Sequence, residues 1–264
     1  MIDRSHPDFV EALARGLAVI EAFDGQNPEM TLAEIARRVN LSAATVRRTL
    51  LTLEFLGFVR THRKRFLLAP RVLTLGSAYL KSMHIEEAVM PELHRITELF
   101  GDAANMSILD GANILYIAHV SIARGARQVA SLGTTYPAFP TSMGRVLLAA
   151  LPSEQLDRLL ATGDRRKLTE HTVIDEGELK AILGEVRAKG YAVTVDQLDY
   201  GITALAVPVT DPAGRTVAAI NTSGYTPRLA PDTLIEQRLA ELRISAGRIT
   251  QLFSRHPTLL NSLI

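Results

Sequence analysis

Residues 42–57 read SAATVRRTLLTLEFLG, and this stretch decides the fold of the first third of the chain. Ser42 has the chemistry of a helix N-cap, since its hydroxyl can accept a bond from an early backbone amide. Val46, Leu50 and Leu53 recur at helical spacing. Steps of about 100° per residue then place Ala44, Thr45, Arg48 and Thr52 on the opposite side and Arg47 on a flank. Small residues on that outer face allow close approach to base edges in a major groove. Each guanidinium fork can donate to guanine or to phosphate.

Upstream, FVEALARGLAVIEAF (9–23) carries Phe9, Leu13, Leu17, Ile20 and Phe23 as one helical stripe, which predicts a first helix. After the turn-rich DGQNPE, Thr31 and Glu34 have capping-box spacing and open a short second helix ending near Asn40. A tight bend at Leu41 then leads into the 42–57 helix, the order of a helix-turn-helix. Downstream, FVRTHRKRFLLAP (58–70) alternates apolar and polar groups on both sides of THRKR, which predicts a β-hairpin. A basic hairpin after the third helix is the wing of a winged helix-turn-helix, with Arg63, Lys64 and Arg65 expected to meet phosphate or a minor groove. Pro70 stops the hairpin, and RVLTLGSAYLKS (71–82) predicts a linker helix.

Charge follows the same division. The whole chain has a formal net charge of +1, yet between 37 and 71 nine cations (Arg37, Arg38, Arg47, Arg48, Arg60, Arg63, Lys64, Arg65 and Arg71) face a single acid, Glu54, for a local net of +8. Such a block in a folded segment attracts polyanions. With 264 residues and 47% hydrophobic content the chain can bury a substantial core. Zero cysteines exclude disulfides, thiolate nucleophiles and cysteine-ligated metal sites. The first residues lack the charged and apolar regions of an export signal, and no apolar run approaches membrane-spanning length, so the cytoplasm is the expected compartment and no membrane partner is expected.

Beyond residue 83 the pattern becomes α+β. IEEAVMPELHRITELFG predicts a helix started or kinked at Pro91, and NMSILDGANILYIAHV a strand pair around Asp110-Gly111. Further strands are expected in VASLGTTYPAF, GYAVTVDQ, ITALAVPVTD and RTVAAINTS, giving an antiparallel-rich sheet of about five or six strands. Helices are expected at 141–151, 153–161, 176–189 and 231–253. The seven histidines show no pairing at helical ligand spacing, and no nucleophile elbow, P-loop or dinucleotide fingerprint is present. No catalytic residue, cofactor or metal site is therefore expected. The leading expectation is a ligand-controlled DNA-binding protein. An enzyme with an accessory helix-turn-helix domain, or a constitutive DNA binder whose second domain only oligomerises, are the alternatives.

The segments LARGLAVIEAF, TLAEIARRVNLSAATVRRTLLTLEFLGFV and RFLLAPRVLTLGSAYL resemble the DNA-binding part of IclR-type bacterial transcriptional regulators. SLGTTYPAFPTSMGRVLLAALP and GYAVTVDQLDYGITALAVPVTDPAGRTVAAINTSG resemble their effector-binding domain. TVRRTLLTL, PRVLTLG and TSMGRVLLA are similar to the branch that controls aromatic-acid catabolism. The resemblance implies a winged helix-turn-helix at 1–69, a linker helix at 70–83, and a GAF-like effector-binding and oligomerisation domain at 84–264. It also implies a homodimer or homotetramer, an inverted-repeat operator, and a small effector of the aromatic or organic-acid type. Carried over by position, the effector pocket falls on Ser142, Met143, Thr194, Ala204, Asn221 and Ser223. His119 and Thr135 stand where the aromatic-acid branch often has arginine, and Ala43 where an arginine usually follows the recognition-helix cap.

Overall fold

The computed structural model describes residues 4–121, 131–163, 165–228 and 230–263, and these divide into two compact units, Met1–Tyr79 and Leu80–Ile264. The first unit contains α1 (Glu11–Glu21), β1 (Glu29–Met30), α2 (Leu32–Arg38), α3 (Ala43–Phe55), β2 (Val59–His62) and β3 (Arg65–Leu68). Its core joins Val19, Met30, Ile35, Val46, Leu50, Leu53 and Val59. The inward face of α3 is the one its apolar spacing predicts. In α1, Val19 and Ala22 are buried, whereas Leu13 and Leu17 of the apolar stripe are 63% and 47% exposed. The helix is rotated so that part of its apolar stripe faces away from this core.

Local chemistry sets each boundary. The Thr31 hydroxyl accepts from the Glu34 amide at 3.3 Å while the Glu34 carboxylate accepts from the Thr31 amide at 2.7 Å, so the predicted capping box is complete. Asn40, at a left-handed φ of 51°, ends α2, and the Leu41 amide reaches back to the Ala36 carbonyl at 3.0 Å. This is the tight bend between α2 and α3. At the other end of α3, Gly57 takes φ 81°, its amide bonds the Glu54 carbonyl at 3.0 Å, and the Phe58 amide bonds Leu53 at 2.9 Å. That pair is a Schellman closure, which favours glycine because its left-handed backbone carries no Cβ. β1 was not predicted; Glu29 and Met30 pair with Leu67 and Phe66, adding a third strand in the order β1-β3-β2.

A single 3₁₀ turn at Pro70–Val72 precedes α4 (Leu73–Ser82), the linker helix, which buries none of its residues within the chain. The second unit continues with α5 (Ile85–Ala88) and α6 (Met90–Phe100), the predicted helix interrupted at Val89, next to Pro91 in the first turn of α6. Then come β4 (Ala103–Asp110), β5 (Asn113–Val120), β6 (Thr135–Pro137), α7 (Ser142–Ala149), α8 (Ser153–Thr162), α9 (Glu176–Lys189), β7 (Ala192–Val195), β8 (Ile202–Thr210), β9 (Thr216–Tyr225), α10 (Pro231–Phe253) and α11 (Pro257–Leu263). The six strands form one sheet, β6-β5-β4-β9-β8-β7, with every neighbouring pair antiparallel. Part of the predicted strand at 129–139 lies outside the described residues. α7 and α9 cover one sheet face around Met143, Leu147, Leu179, Leu183, Ala206 and Ala219. No described helix is long and apolar enough to cross a membrane.

Candidate functional site

The first candidate surface is the outer side of α3. The Ser42 hydroxyl accepts the Thr45 amide at 3.2 Å and shares a hydrogen with the Thr45 hydroxyl at 2.9 Å, fixing the helix start. Ser42, Ala44, Arg47, Arg48 and Thr52 are exposed, and Thr45 is half-buried. The Thr52 hydroxyl donates to the Arg48 carbonyl at 3.0 Å. Within the basic block the cations divide sharply. Arg38 pairs with Asp24, and Arg71 stacks over the Phe58 ring at 5.6 Å. Arg47, Arg48, Arg60, Arg63 and Lys64 are all exposed and make no ion pair among the described residues.

The hairpin tip is a two-residue turn between the paired residues His62 and Arg65, with Arg63 at φ 47° and Lys64 at φ 66°. Two successive left-handed residues match the twist of the flanking strands but favour Asn-Gly; Arg-Lys costs on the order of 1–2 kcal/mol per residue. The strained tip therefore presents two cations side by side. Arg65 has a different role from the expected phosphate contact. Its guanidinium pairs with Glu29 at 3.1 Å and Glu34 at 3.3 Å and donates to the Glu29 carbonyl, because the unpredicted β1 brings Glu29 alongside β3 and the first turn of α2 brings Glu34. It ties the hairpin to β1 and the α2 cap.

The second candidate surface is the sheet face beneath α7. Asn105 on β4 lies opposite His119 on β5 and opposite Asn221 on β9. Its amide donates to Asn221 Oδ1 at 2.7 Å, and its Oδ1 lies 2.6 Å from His119 Nδ1. The Asn105 acceptor assigns the proton to Nδ1 and leaves Nε2 free to accept. Burial holds the His119 pKa below its ordinary value, favouring the neutral ring. Two pairing rows away, Ser223, Ala204 and Thr194 lie opposite one another on β9, β8 and β7. Strand alternation puts both rows on the same face.

α7 stands on this face, its Met143 sulfur accepting from the Ser107 hydroxyl at 3.3 Å. The Thr141 hydroxyl caps the helix by accepting from the Gly144 amide at 3.0 Å and donates to the Ala138 carbonyl at 3.0 Å. That cap leaves the first amides, of Ser142 and Met143, at the positive end of the helix. A Cβ on Gly144 would lie 2.0 Å from the Ala138 carbonyl oxygen, so only glycine permits this approach. Ser142 is 1% exposed, and its hydroxyl oxygen is buried without a hydrogen-bond partner among the described residues. An unsatisfied buried hydroxyl costs about 1–3 kcal/mol and asks for a ligand. Behind it, buried Arg145 donates to the Phe139 carbonyl at 2.9 Å and to Gln197 at 2.8 Å; burial lowers its pKa to about 10.

The structure thus gathers Ser142, Met143, Thr194, Ala204, Asn221, Ser223 and His119 at one sheet face and the helix above it. Thr135 does not join them. It is exposed and pairs with Leu115, and alternation turns it to the face opposite Tyr136. Sequence reasoning missed Asn105 and Ser107 on the inward face of β4, and Tyr116 and Tyr136, whose rings meet edge to face at 5.8 Å. Burial raises both phenol pKa values, and the Asp199 carboxylate adds to the effect at Tyr136. The signal available was the two-residue alternation of these strands, readable only once their register is known.

Comparison with known proteins places both units in one family. Residues 12–63 match the IclR helix-turn-helix domain, and residues 77–251 match the bacterial transcriptional regulator IclR C-terminal domain. The Pca regulon regulatory protein of Pseudomonas putida is 40% identical over 92% of this chain and 83% of its own length. The p-hydroxybenzoate hydroxylase transcriptional activator of Acinetobacter baylyi is 32% identical over 93% of this chain and 92% of its own. A crystal structure of a transcriptional regulator from Rhodococcus sp. RHA1 superposes with a TM-score of 0.78 at 42% identity, covering 92% of this chain and 98% of that one. With a family model matching most of the chain and a relative 40% identical over nearly its whole length, the chain belongs to the IclR family of bacterial transcriptional regulators.

Proposed function

We propose that α3 enters the major groove of operator DNA with Ala44, Arg47, Arg48 and Thr52 toward the bases, while Arg63 and Lys64 at the hairpin tip hold phosphates. The observation that carries this reading is the division within the basic block: cations that serve the fold have partners, and those on α3 and at the tip have none among the described residues. Unpaired guanidinium groups on a helix slim enough for a groove are the chemistry of base and phosphate contact. In a mobility-shift titration against the promoter region beside its own gene, replacing both Arg47 and Arg48 with Ala should abolish the specific complex. Equal binding by wild type and double variant would overturn the reading.

The effector reading rests on the orphaned Ser142 hydroxyl beside the open amides of α7. An organic acid fits: its carboxylate takes the Ser142 and Met143 amides and the Ser142 hydroxyl, and Asn221, Ser223 and the His119 ladder bond polar substituents further along. The relatives named Pca regulon regulatory protein and p-hydroxybenzoate hydroxylase transcriptional activator support an aromatic member of that class. A thermal-shift screen of hydroxybenzoates and related acids tests it, because a ligand of the folded state raises the melting temperature. Ser142→Ala should weaken the hit.

Apolar exposure in the first unit supports a homodimer formed there and along the linker helix: Phe55 is 90% exposed, and Leu73 and Leu75 of α4 also face outward. Two-fold pairing of α3 helices then calls for an operator with inverted half-sites one helical turn, or a multiple, apart.

A further inference from the structure

His84, Glu87 and His256 lie outside both surfaces described above. The sequence predicts no metal site, because no two histidines share a helical ligand spacing. The fold of the second unit nevertheless brings these three together: one ligand atom from each lies within 4.8 Å of the others. The two imidazole rings are 5.2 Å apart at 36°, and His84 Nδ1 is 3.6 Å from a Glu87 carboxylate oxygen.

Both histidines hang from fixed backbone. The His84 carbonyl accepts the amides of Glu87 at 3.1 Å and Ala88 at 3.0 Å, opening α5. The His256 amide bonds Leu252 at 3.0 Å, and its carbonyl accepts Leu259 at 3.0 Å, joining α10 to α11. Buried Ile85 and Ala88 anchor one side and buried Phe253 and Leu259 the other. His84 holds a left-handed φ of 54°, a conformation uncommon for a residue with a Cβ. It holds the ring beside His256 immediately after the linker helix.

Two imidazoles and one carboxylate are donors for borderline transition ions, whereas Mg²⁺ and Ca²⁺ prefer oxygen alone. Bonds of about 2.0–2.2 Å in a tetrahedron set ligand atoms roughly 3.3–3.6 Å apart, so closure needs shifts of about an ångström. His84 and Glu87 are exposed and His256 is half-buried, so their side chains can make that shift and an ion can enter. We propose that His84, Glu87 and His256 form a site for a zinc-class divalent ion, with water in the fourth position. The bound ion clamps the α10–α11 junction to the residue that follows the linker helix by two positions. This stiffens the point where α4 enters the effector-binding unit.

The test uses untagged, full-length protein stripped with chelator and titrated with Zn²⁺ by calorimetry, and with Co²⁺ by visible absorption. One equivalent per chain, a tetrahedral Co²⁺ spectrum and a raised melting temperature are expected. His84→Ala and His256→Ala should each weaken binding by about tenfold or more, and His62→Ala should not. Glu87→Gln, an exposed isosteric change that leaves the fold intact, should weaken it too. Absence of Zn²⁺ binding by the wild type, or an affinity that survives His84→Ala and Glu87→Gln, overturns the assignment.

Discussion

Arg47 and Arg48 are exposed and make no ion pair among the described residues, whereas Arg145 and Arg238 in the second unit are buried and bonded on several sides. Arg238 donates to Thr222 at 3.0 Å and to Asp102 at 2.7 Å and lies over the Phe100 ring at 4.9 Å. Arg145 ties the start of α7 to Gln197. The same side chain serves two ends: surrounded by acceptors it organises the sheet and helices, and left without them it keeps its donors for an outside ligand. The contrast teaches that net charge says less about a cation's role than whether the fold has given it an acceptor.

The comparison breaks most visibly in stability. Arg238→Ala strands Asp102 and Thr222, and should cost about 3–5 kcal/mol, read as a fall of about 10 °C in the melting temperature. Arg47→Ala and Arg48→Ala should leave the melting temperature within about 1–2 °C, since the change in stability stays within about 0.5 kcal/mol. Each should cost about 1–3 kcal/mol of operator affinity in a mobility-shift titration.

The hairpin tip sharpens the contrast. The double change Arg63→Asn with Lys64→Gly relieves the left-handed strain and should stabilise the protein by about 1 kcal/mol in urea unfolding. It should also lower the salt slope of DNA binding by roughly one to two. The smallest effect concerns pH. His119 has a folded pKa below the ordinary 6.5, so the unfolded chain binds more protons as pH falls below that value. Stability should therefore decline from pH 7 toward 5. His119→Gln should flatten that part of the melting-temperature profile.

Signals contained within a few residues were legible in the sequence. The Thr31–Glu34 capping box, the inward face of α3, the Asp110-Gly111 hairpin and the break near Pro91 all follow from local spacing, and the structure has each of them. What failed depends on distant partners. β1 is only two residues long and exists because Phe66 and Leu67 pair with it. Arg65 reads as one more free cation until β1 delivers Glu29. Thr135 aligns with a ligand position, yet register sets its face, and one residue of offset reverses it. The polar ladder is likewise a product of register: Asn105 acquires its roles from His119 and Asn221, which arrive on different strands.

The strand order carries a consequence for synthesis. β4, first of the sheet to leave the ribosome, has β9, the last, as a permanent neighbour, with Ala103 opposite Ser223. Until β9 emerges, one edge of β4 has no partner, and closing so long a loop is slow. The amino-terminal unit needs only contacts within its own first 79 residues. Translation therefore completes every residue of the amino-terminal unit well before the last strand of the sheet leaves the ribosome, so the two units reach their native contacts in sequence and not together.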